Sequence, residues 1–300
     1  MVDSKTLENM RQRQHIMNDE TINAHVNDYG VLMQSDIPYM DDGSEYHLLD
    51  VYSPADYKKD KKLPVVIVIH GGGYSSGYKE LDRRIAQFVA TNGFHAVNIN
   101  YTLMPEVGFE TELKEVFTVA DWISTHSEEY GFDDTRVSVM GDSSAGHYVM
   151  MVAAAQNNPD TYGYFNISPY KNGFRGYVSI CPATFEIIKT SDNEINAEVR
   201  SVLSDWFEDE EYYKHCLYTE YMNKNYPRIM IVTTPTDSIL ASESIALHKY
   251  MVKNNIDHVY KSYEGVKNKL DHVFNVLFPE YEESKQANAD IIAYLKECSK

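Results

Sequence analysis

Short runs of β-branched and other apolar residues alternate with longer amphipathic segments along most of this chain. The short runs predict β-strands, and the amphipathic segments predict helices. Such alternation is typical of a mostly parallel central sheet with helices on both faces, so the sequence predicts the α/β fold class. The predicted strands are 46–52, 63–69, 94–100, 136–140, 176–180, 228–233 and 258–263. The predicted helices lie near 80–92, 110–130, 243–254 and 281–297, with a further one that ends near residue 156.

Two stretches break this alternation. Residues 1–40 are polar with scattered Leu, Met and Ile, which predicts one or two amphipathic helices ahead of the core. Residues 183–225 are polar, aromatic-rich and helical in pattern, and they are too many for an ordinary loop. We find no internal repeat and no domain linker. We therefore expect one domain over residues 1–300, with an N-terminal helical cap segment at 1–40 and a helical cap insertion at 183–225.

Composition narrows the class of protein. The chain has 300 residues, of which 43% are hydrophobic, and this is enough to bury a full core. Its formal net charge is −18 at pH 7. A phosphate backbone requires a positively charged face, so this balance argues against nucleic acid as a partner and disfavours an anionic membrane surface.

The sequence contains no visible targeting or membrane-spanning segment. The first residues lack an apolar signal core, and no segment reaches the roughly 18 apolar residues that a spanning helix needs. Cys181, Cys216 and Cys298 form an odd set without the spacing of a metal site or a disulfide framework. We therefore expect a cytoplasmic protein that requires no metal and no organic cofactor, with its oligomeric state left open.

A turn of small residues joins the predicted strand 136–140 to the helix that follows, with the sequence Gly141-Asp-Ser-Ser-Ala-Gly-His147. A strand, a tight turn and a helix can present a serine as a nucleophile, provided that the residues two before and two after it are small. Gly141 and Ala145 meet this requirement for Ser143, whereas Ser144 would have the bulkier Asp142. The turn predicts Ser143 as the nucleophile, although phosphate binding or simple chain reversal also fit this motif alone.

A second turn of small residues follows the predicted strand 63–69, with the sequence His70-Gly-Gly-Gly-Tyr74. Three glycines let the backbone approach a bound group closely with its N–H groups pointing outward. The dinucleotide spacing Gly-x-Gly-x-x-Gly and the phosphate-binding ending Gly-Lys-Ser/Thr are both absent. An oxyanion hole, formed together with the N–H of Ser144, fits the pattern. A tight turn without a chemical role is the alternative.

These two turns and the segment Asn100-Tyr-Thr-Leu-Met-Pro-Glu106 resemble successive signatures of the α/β-hydrolase fold, and most of all its hormone-sensitive-lipase-like and related small carboxylesterases. The resemblance runs from about residue 45 to the C-terminus, with Ala145 in place of the usual second glycine of Gly-x-Ser-x-Gly. It implies Ser143 as the nucleophile and the N–H groups of Gly72, Gly73 and Ser144 as the oxyanion hole. It also implies that Tyr101 and Glu106 brace the glycine turn.

A nucleophilic serine needs a histidine as base and a carboxylate that orients it. In this fold the carboxylate and the histidine follow the serine in that order, each on a loop after a late strand. Asp237 follows the predicted strand 228–233, and His272 follows the strand 258–263, so we expect these two. Four alternatives lie on predicted strands or helices: His147, His215, His248 and His258. Asp257 precedes the last strand instead of following a strand end. Asp271 adjoins His272, and consecutive side chains in an extended or turn conformation point apart.

The motifs together predict a serine carboxylesterase that cleaves short-chain acyl esters through a covalent acyl-enzyme, with a small-molecule ester as its partner. Aromatic and aliphatic residues of 183–225, such as Trp206 and Phe207, suit a modest apolar pocket. Two other readings stay open. One is an esterase of the same fold that removes acetyl or feruloyl groups from carbohydrates, and the other is a catalytically silent binding protein.

Overall fold

The computed structural model describes residues 5–9, 11–12 and 27–300, and an eight-stranded sheet runs through this part of the chain. Its strand order is β1-β2-β4-β3-β5-β6-β7-β8. β2 runs antiparallel to β1 and β4, while each of the other neighbouring pairs, from β4-β3 to β7-β8, is parallel. The strands are β1 (Leu32–Pro38), β2 (Leu48–Ser53), β3 (Leu63–Ile69), β4 (His95–Ile99), β5 (Phe132–Asp142), β6 (Phe174–Ile180), β7 (Ile229–Thr233) and β8 (His258–Ser262).

Helices connect most of these strands. They are α1 (Arg83–Thr91), α2 (Phe109–Thr125), α3 (Ser127–Tyr130), α4 (Ser144–Asn157), α5 (Pro159–Tyr164), α6 (Phe185–Thr190), α7 (Glu194–Val202), α8 (Ser204–Glu208), α9 (Glu210–His215), α10 (Ala241–Lys253), α11 (Phe274–Leu277) and α12 (Glu282–Cys298). Residues 5–9 and 11–12 are also helical. Within the described ranges, no helix combines the length and the apolar character that crossing a bilayer requires.

The central strand β3 shows how the core is divided into two layers. Val65, Ile67 and Ile69 belong to one buried apolar cluster, together with residues of α2 and α4. Val66 and Val68 belong to a second cluster, together with residues of α1 and α12. Successive strand side chains point to opposite faces, so β3 is covered on both sides. The predicted mostly parallel sheet with helices on both faces is confirmed.

The predicted elements agree with the structure to within a few residues, with one correction at the N-terminal end. Residues 32–38, which we predicted as helical, form the edge strand β1. Most of its side chains are exposed, so the segment has no apolar stripe that a helix could bury. It pairs with β2 instead, with a bulge where Asp36 has a φ of 57° and donates its N–H to Asp50. The rest of the predicted 1–40 helices lies largely outside the described residues.

A buried lysine fixes this edge of the sheet. The side chain of Lys79 is 2% exposed, and its Nζ lies 3.0 Å from the fully buried carboxylate of Asp50. It also contacts the carboxylates of Asp36 and Glu80, at 2.8 and 2.6 Å. A buried charge is tolerated only when it is paired, so these contacts tie the 3₁₀ turn Lys79–Asp82 to β1 and β2.

Replacing this lysine should destabilise the fold. Lys79→Met keeps most of the side-chain volume but leaves the Asp50 carboxylate buried without its cation, and we expect a loss of about 3 kcal/mol in the free energy of unfolding. Urea denaturation measures this change. Lys285→Met is the matched control, because its ion pair with Glu282 is exposed and its loss should not be measurable. Equal stability of the two variants would contradict the assignment.

Candidate active site

The site lies where several parallel strands end at the same edge of the sheet. Ile69 at the end of β3 pairs with Gly141 of β5, so the glycine turn after β3 and the serine turn after β5 are neighbours. The loops after β7 and β8 carry Asp237 and His272 to the same edge. Ligands of open α/β sheets bind outside the carboxyl ends of the strands, and this is where the predicted residues meet.

The serine turn has a strained backbone that its neighbours hold in place. Ser143 has φ 54° and ψ −119°, a conformation that non-glycine residues rarely adopt. Its N–H donates to the carbonyl of Ile180 at 2.8 Å, and its carbonyl accepts from the N–H of Ala183 at 2.9 Å. Both bonds lead to the end of β6 and the loop after it. Such strain persists only where the surroundings over-determine the conformation.

Close packing around this turn explains its small residues. A Cβ on Gly141 would lie 2.8 Å from the Cβ of Ala145, which is fully buried. A Cβ on Gly146 would lie 2.8 Å from Ser179 Oγ and 3.0 Å from Pro182 Cα. The alanine at 145 therefore fits because position 141 is glycine, and Gly146 lets the following helix pack against the end of β6 and the loop after it.

The structure brings the three predicted side chains Ser143, His272 and Asp237 into one hydrogen-bonded row. Ser143 Oγ lies 2.9 Å from His272 Nε2, and His272 Nδ1 lies 2.9 Å from Asp237 Oδ2. The other carboxylate oxygen of Asp237 accepts the N–H groups of Ile239 and Leu240, at 2.9 and 2.8 Å. These bonds fix the carboxylate so that one oxygen faces the imidazole.

Two opposing effects set the charge of Asp237. Burial disfavours the carboxylate, but the hydrogen bond and charge of His272 and the two backbone donors outweigh burial, and the pKa of Asp237 lies below its ordinary value. The neighbouring Asp271 turns away from the imidazole. Its carboxylate accepts the backbone N–H and the hydroxyl of Ser238, each at 2.8 Å, and so links the two loops.

The glycine turn could not accommodate side chains at its central positions. Gly72 has φ +145°, and a Cβ there would lie 1.8 Å from the carbonyl oxygen of Ser76. Gly73 has φ +60°, and a Cβ there would lie 2.8 Å from Val199 Cγ2 on α7. Gly72 accepts hydrogen bonds from both the N–H and the hydroxyl of Ser76, which closes the turn.

The two residues expected to brace this turn act in different ways. Tyr101 donates its hydroxyl to the carbonyl of His70 at 2.7 Å, and its ring stacks on the His70 imidazole. Glu106 forms a bidentate ion pair with Arg11. The same guanidinium donates to the carbonyl of Ser75 at 2.7 Å, so Glu106 is linked to the turn through Arg11.

The alternative residues do not join the row. The hydroxyl of Ser144 is buried, and it has no hydrogen-bond partner among the described residues. His147 is buried between the Tyr74 hydroxyl and the Cys216 carbonyl, and burial lowers its pKa to about 3. His248 and His258 contact each other at 2.9 Å, away from the cavity.

A cavity of about 490 Å³ opens above the row. Ile188, Ile195 and Val199 of α6 and α7 form one wall, and Val276 and Leu277 of α11 form another. The polar surface comes from the glycine turn, Ser143, His272, two further polar side chains and three carboxyl groups. The further polar side chains are Ser76 and Asn196, and the carboxyl groups are Asp82, Asp142 and Glu198. Sequence reasoning missed all three of these carboxyl groups. Asp142 was noted only for its bulk, and no local motif marks Asp82.

A potential metal-ligand set overlaps the row. The ligand atoms of Cys181, Asp237 and His272 lie within 4.8 Å of one another. The carboxylate and the imidazole of this set already bond to each other, and burial raises the pKa of the Cys181 thiol well above its usual value. A thiol binds a metal as its thiolate, so these atoms fit the hydrogen-bonded row better than a metal centre.

The sheet order and the turns at its strand ends define the α/β-hydrolase fold. The family model BD-FAE matches residues 49–251, more than half of the chain, and the chain belongs to this family. Esterase B from Lactobacillus rhamnosis shares the fold with a TM-score of 0.88 and 24% identity, over 100% of this chain and 97% of that chain.

Two curated proteins of Mycobacterium tuberculosis strain ATCC 25618 / H37Rv are similar in sequence. Esterase LipQ is 27% identical over 126 residues, which are 42% of this chain and 30% of LipQ. Carboxylesterase NlhH is 32% identical over 93 residues, which are 30% of this chain and 29% of NlhH. The matched segments span about a third of the length of these relatives. The resemblance that the motifs indicated is confirmed.

The contact between Gly141 and Ala145 generates a prediction about the unusual alanine. Ala145→Gly should retain activity, because it removes a methyl group that contacts Gly141 rather than the cavity. It should lower the free energy of unfolding by about 1 kcal/mol, because glycine is a poor residue in a helix. Urea denaturation and initial-rate kinetics measure the two effects. A severe loss of turnover with normal stability would mean that the methyl group shapes the reaction geometry.

Proposed function

We propose that this protein is a serine carboxylesterase that transfers the acyl group of a small ester to water. The observation that carries the proposal is the row Ser143–His272–Asp237, with both contacts at 2.9 Å, on the floor of an apolar cavity beside a glycine turn. Nucleophile, base and orienting carboxylate in hydrogen-bond reach are the arrangement that acyl transfer requires.

The reaction begins when His272 Nε2 accepts the hydroxyl proton of Ser143. The serine oxygen attacks the ester carbonyl, and the electron pair of the C=O bond moves onto its oxygen. His272 then gives the proton to the departing alcohol as the C–O bond breaks. Water repeats these steps on the acyl-enzyme and releases the acid. The ionised Asp237 holds the imidazole in one tautomer and stabilises the imidazolium that forms twice in the cycle.

We assign the oxyanion hole to the backbone N–H groups of Gly72, Gly73 and Ser144. Gly72 and Gly73 line the cavity, and Ser144 opens α4 directly after the nucleophile. Among the described residues, none of these three N–H groups donates a hydrogen bond to a backbone carbonyl in a turn, loop or helix cap. One donor of this kind typically contributes about 3 kcal/mol to transition-state stabilisation.

We infer that the cavity favours short acyl groups. The cavity has a volume of about 490 Å³, and aliphatic side chains of α6, α7 and α11 form its walls. We interpret the helices of 183–225 as the cap that we expected over the site, because Val199 of α7 contacts the glycine turn. The names of the similar esterases support the class of reaction. A cytoplasmic location stays a prediction from the sequence.

Removal of the nucleophile tests the proposal. Ser143→Ala should lower kcat for a short-chain ester by about 10⁶-fold, because it removes the atom that carries the acyl group. Ser144→Ala is the matched control. Its hydroxyl is buried and bonds to no residue in the described part of the chain, so it should be dispensable. Spectrophotometric assay of a chromogenic acetate ester measures both variants.

A fluorophosphonate probe that labels activated serines separates the enzyme from a silent binding protein. We expect the native protein and Ser144→Ala to be labelled and Ser143→Ala to remain unlabelled. Absence of labelling of the native protein would favour a catalytically silent binding protein over an enzyme. If Ser144→Ala alone loses labelling, the nucleophile assignment is wrong.

The cavity wall generates a prediction about chain length. In Val199→Phe a phenyl ring replaces the smaller isopropyl group and narrows the space over Gly73. The kcat/KM for a hexanoyl ester should therefore fall by about tenfold more than the kcat/KM for an acetyl ester. Val252→Phe is the matched control, since Val252 is 57% exposed on α10. Equal losses for both esters would place the acyl group elsewhere.

A strong preference for acetylated or feruloylated sugars in the same assay would favour the carbohydrate-directed alternative.

A further inference from the structure

Three carboxyl groups outside the catalytic row line the same cavity, and two of them, Asp82 and Asp142, are buried. Asp142 is the last residue of β5, directly before the nucleophile, and Asp82 ends the 3₁₀ turn Lys79–Asp82. They are 6% and 3% exposed. Both line one cavity, and the pKa of each responds to a side-chain hydrogen bond with the other. Neither group takes part in the steps of the proposed reaction.

Asp142 also contacts the glycine turn. Its Oδ1 accepts the N–H of Gly71 at 2.7 Å, and a Cβ on Gly71 would lie 2.7 Å from its Oδ2. The carboxyl group therefore fills the space between the serine turn and the start of the glycine turn. A change in its position would move the glycine N–H groups relative to Ser143 Oγ.

Two hydrogen-bonded carboxyl groups in a buried site must hold a proton between them, because two adjacent carboxylates repel and neither could donate. Burial and the charge of Asp142 raise the pKa of Asp82 well above the ordinary carboxyl range. Burial also raises the pKa of Asp142, though the Gly71 N–H opposes this. In the arrangement that these directions favour, protonated Asp82 donates to the Asp142 carboxylate.

We propose that Asp82 and Asp142 share one proton and together act as positioning residues that hold the oxyanion-binding glycine turn against the nucleophile. The inference rests on the proposed esterase function. Lys79, fixed by its own ion pairs, anchors the turn that carries Asp82. The pair thus connects the edge of the sheet that Lys79 fixes to the glycine turn beside the reacting atoms.

Two titratable groups face the pair from other elements. The charge of His272 acts on Asp142 from the loop after β8. Tyr101 lies near both carboxyl groups, and burial raises its pKa well above its usual value, so its phenol stays neutral. A pair with one proton carries a single negative charge. This charge acts on His272 in addition to the charge of Asp237.

Infrared difference spectroscopy of the full-length protein tests for the shared proton directly. The carbonyl stretch of a protonated carboxylic acid is separate from the bands of a carboxylate. Asp82→Asn should remove one protonated-acid band relative to the native protein. Asp271→Asn is the matched control and should remove only carboxylate bands, because its hydrogen bonds hold the pKa of Asp271 below its ordinary value. Loss of carboxylate bands in Asp82→Asn would overturn the proposal.

Kinetics test the positioning role. Asp82→Asn should retain activity near the native value, because the amide N–H can donate to Asp142 as the acid did. Asp82→Ala removes the donor and should lower kcat roughly 10–100-fold with little change in KM, the size expected for a hydrogen bond to a charged group. If the asparagine variant is as impaired as the alanine variant, or if KM alone changes, the pair does not position the turn.

The infrared and the kinetic experiments also distinguish a failure of this inference from a failure of the proposed function. The infrared measurement does not depend on ester hydrolysis, and the rate of fluorophosphonate labelling reports the glycine turn without a natural substrate. An unlabelled protein that still loses an acid band in Asp82→Asn would reject the esterase and keep the shared proton. A labelled protein without that loss would keep the esterase and reject the shared proton. Asp82→Asn preserves the volume and hydrogen bonding, so the test remains available if Asp82→Ala does not fold.

Discussion

The parallel pairing of β3 with β5 is the constraint on which the rest of the site depends. With Ile69 opposite Gly141, the two strands end together, and the turns that follow meet at Gly71, where a Cβ would lie 2.7 Å from Asp142 Oδ2 and 3.0 Å from Ser143 Cβ. A slip of one residue would exchange the two faces of a strand that is buried on both sides. The core on each side therefore fixes the register, and the register fixes the distance between the two turns.

The same strand pairing explains why Ser143 can hold its strained backbone conformation. Ser143 holds an unfavourable backbone conformation because β6 and its loop supply a carbonyl and an N–H at 2.8 and 2.9 Å on either side of it. These contacts exist only if β6 lies next to β5 in the observed order. β5, which leads into Ser143, and its neighbour β6 thus fix the backbone of one residue, and the strained conformation keeps the hydroxyl outside the helix that follows.

The sequence predicted features that depend on local order and missed those that depend on distant contacts. Ser143, Asp237 and His272 could be selected because each follows a recognisable strand, and their order along the chain matches a known arrangement. The edge strand β1 was predicted as a helix, because its exposed residues follow neither period clearly. The contact of Asp82 with Asp142 joins residues sixty positions apart, and no local spacing encodes it.

The charge of the cavity wall is then a condition on the proposed mechanism. Asp237 lies 2.9 Å from the imidazole of His272, and its negative charge stabilises the imidazolium that the proposed reaction forms. Two adjacent carboxylates in a buried site repel each other, and a buried charge is costly unless it is paired. On the proposed assignment, Asp82 and Asp142 can lie close together because the proton that they share removes this repulsion.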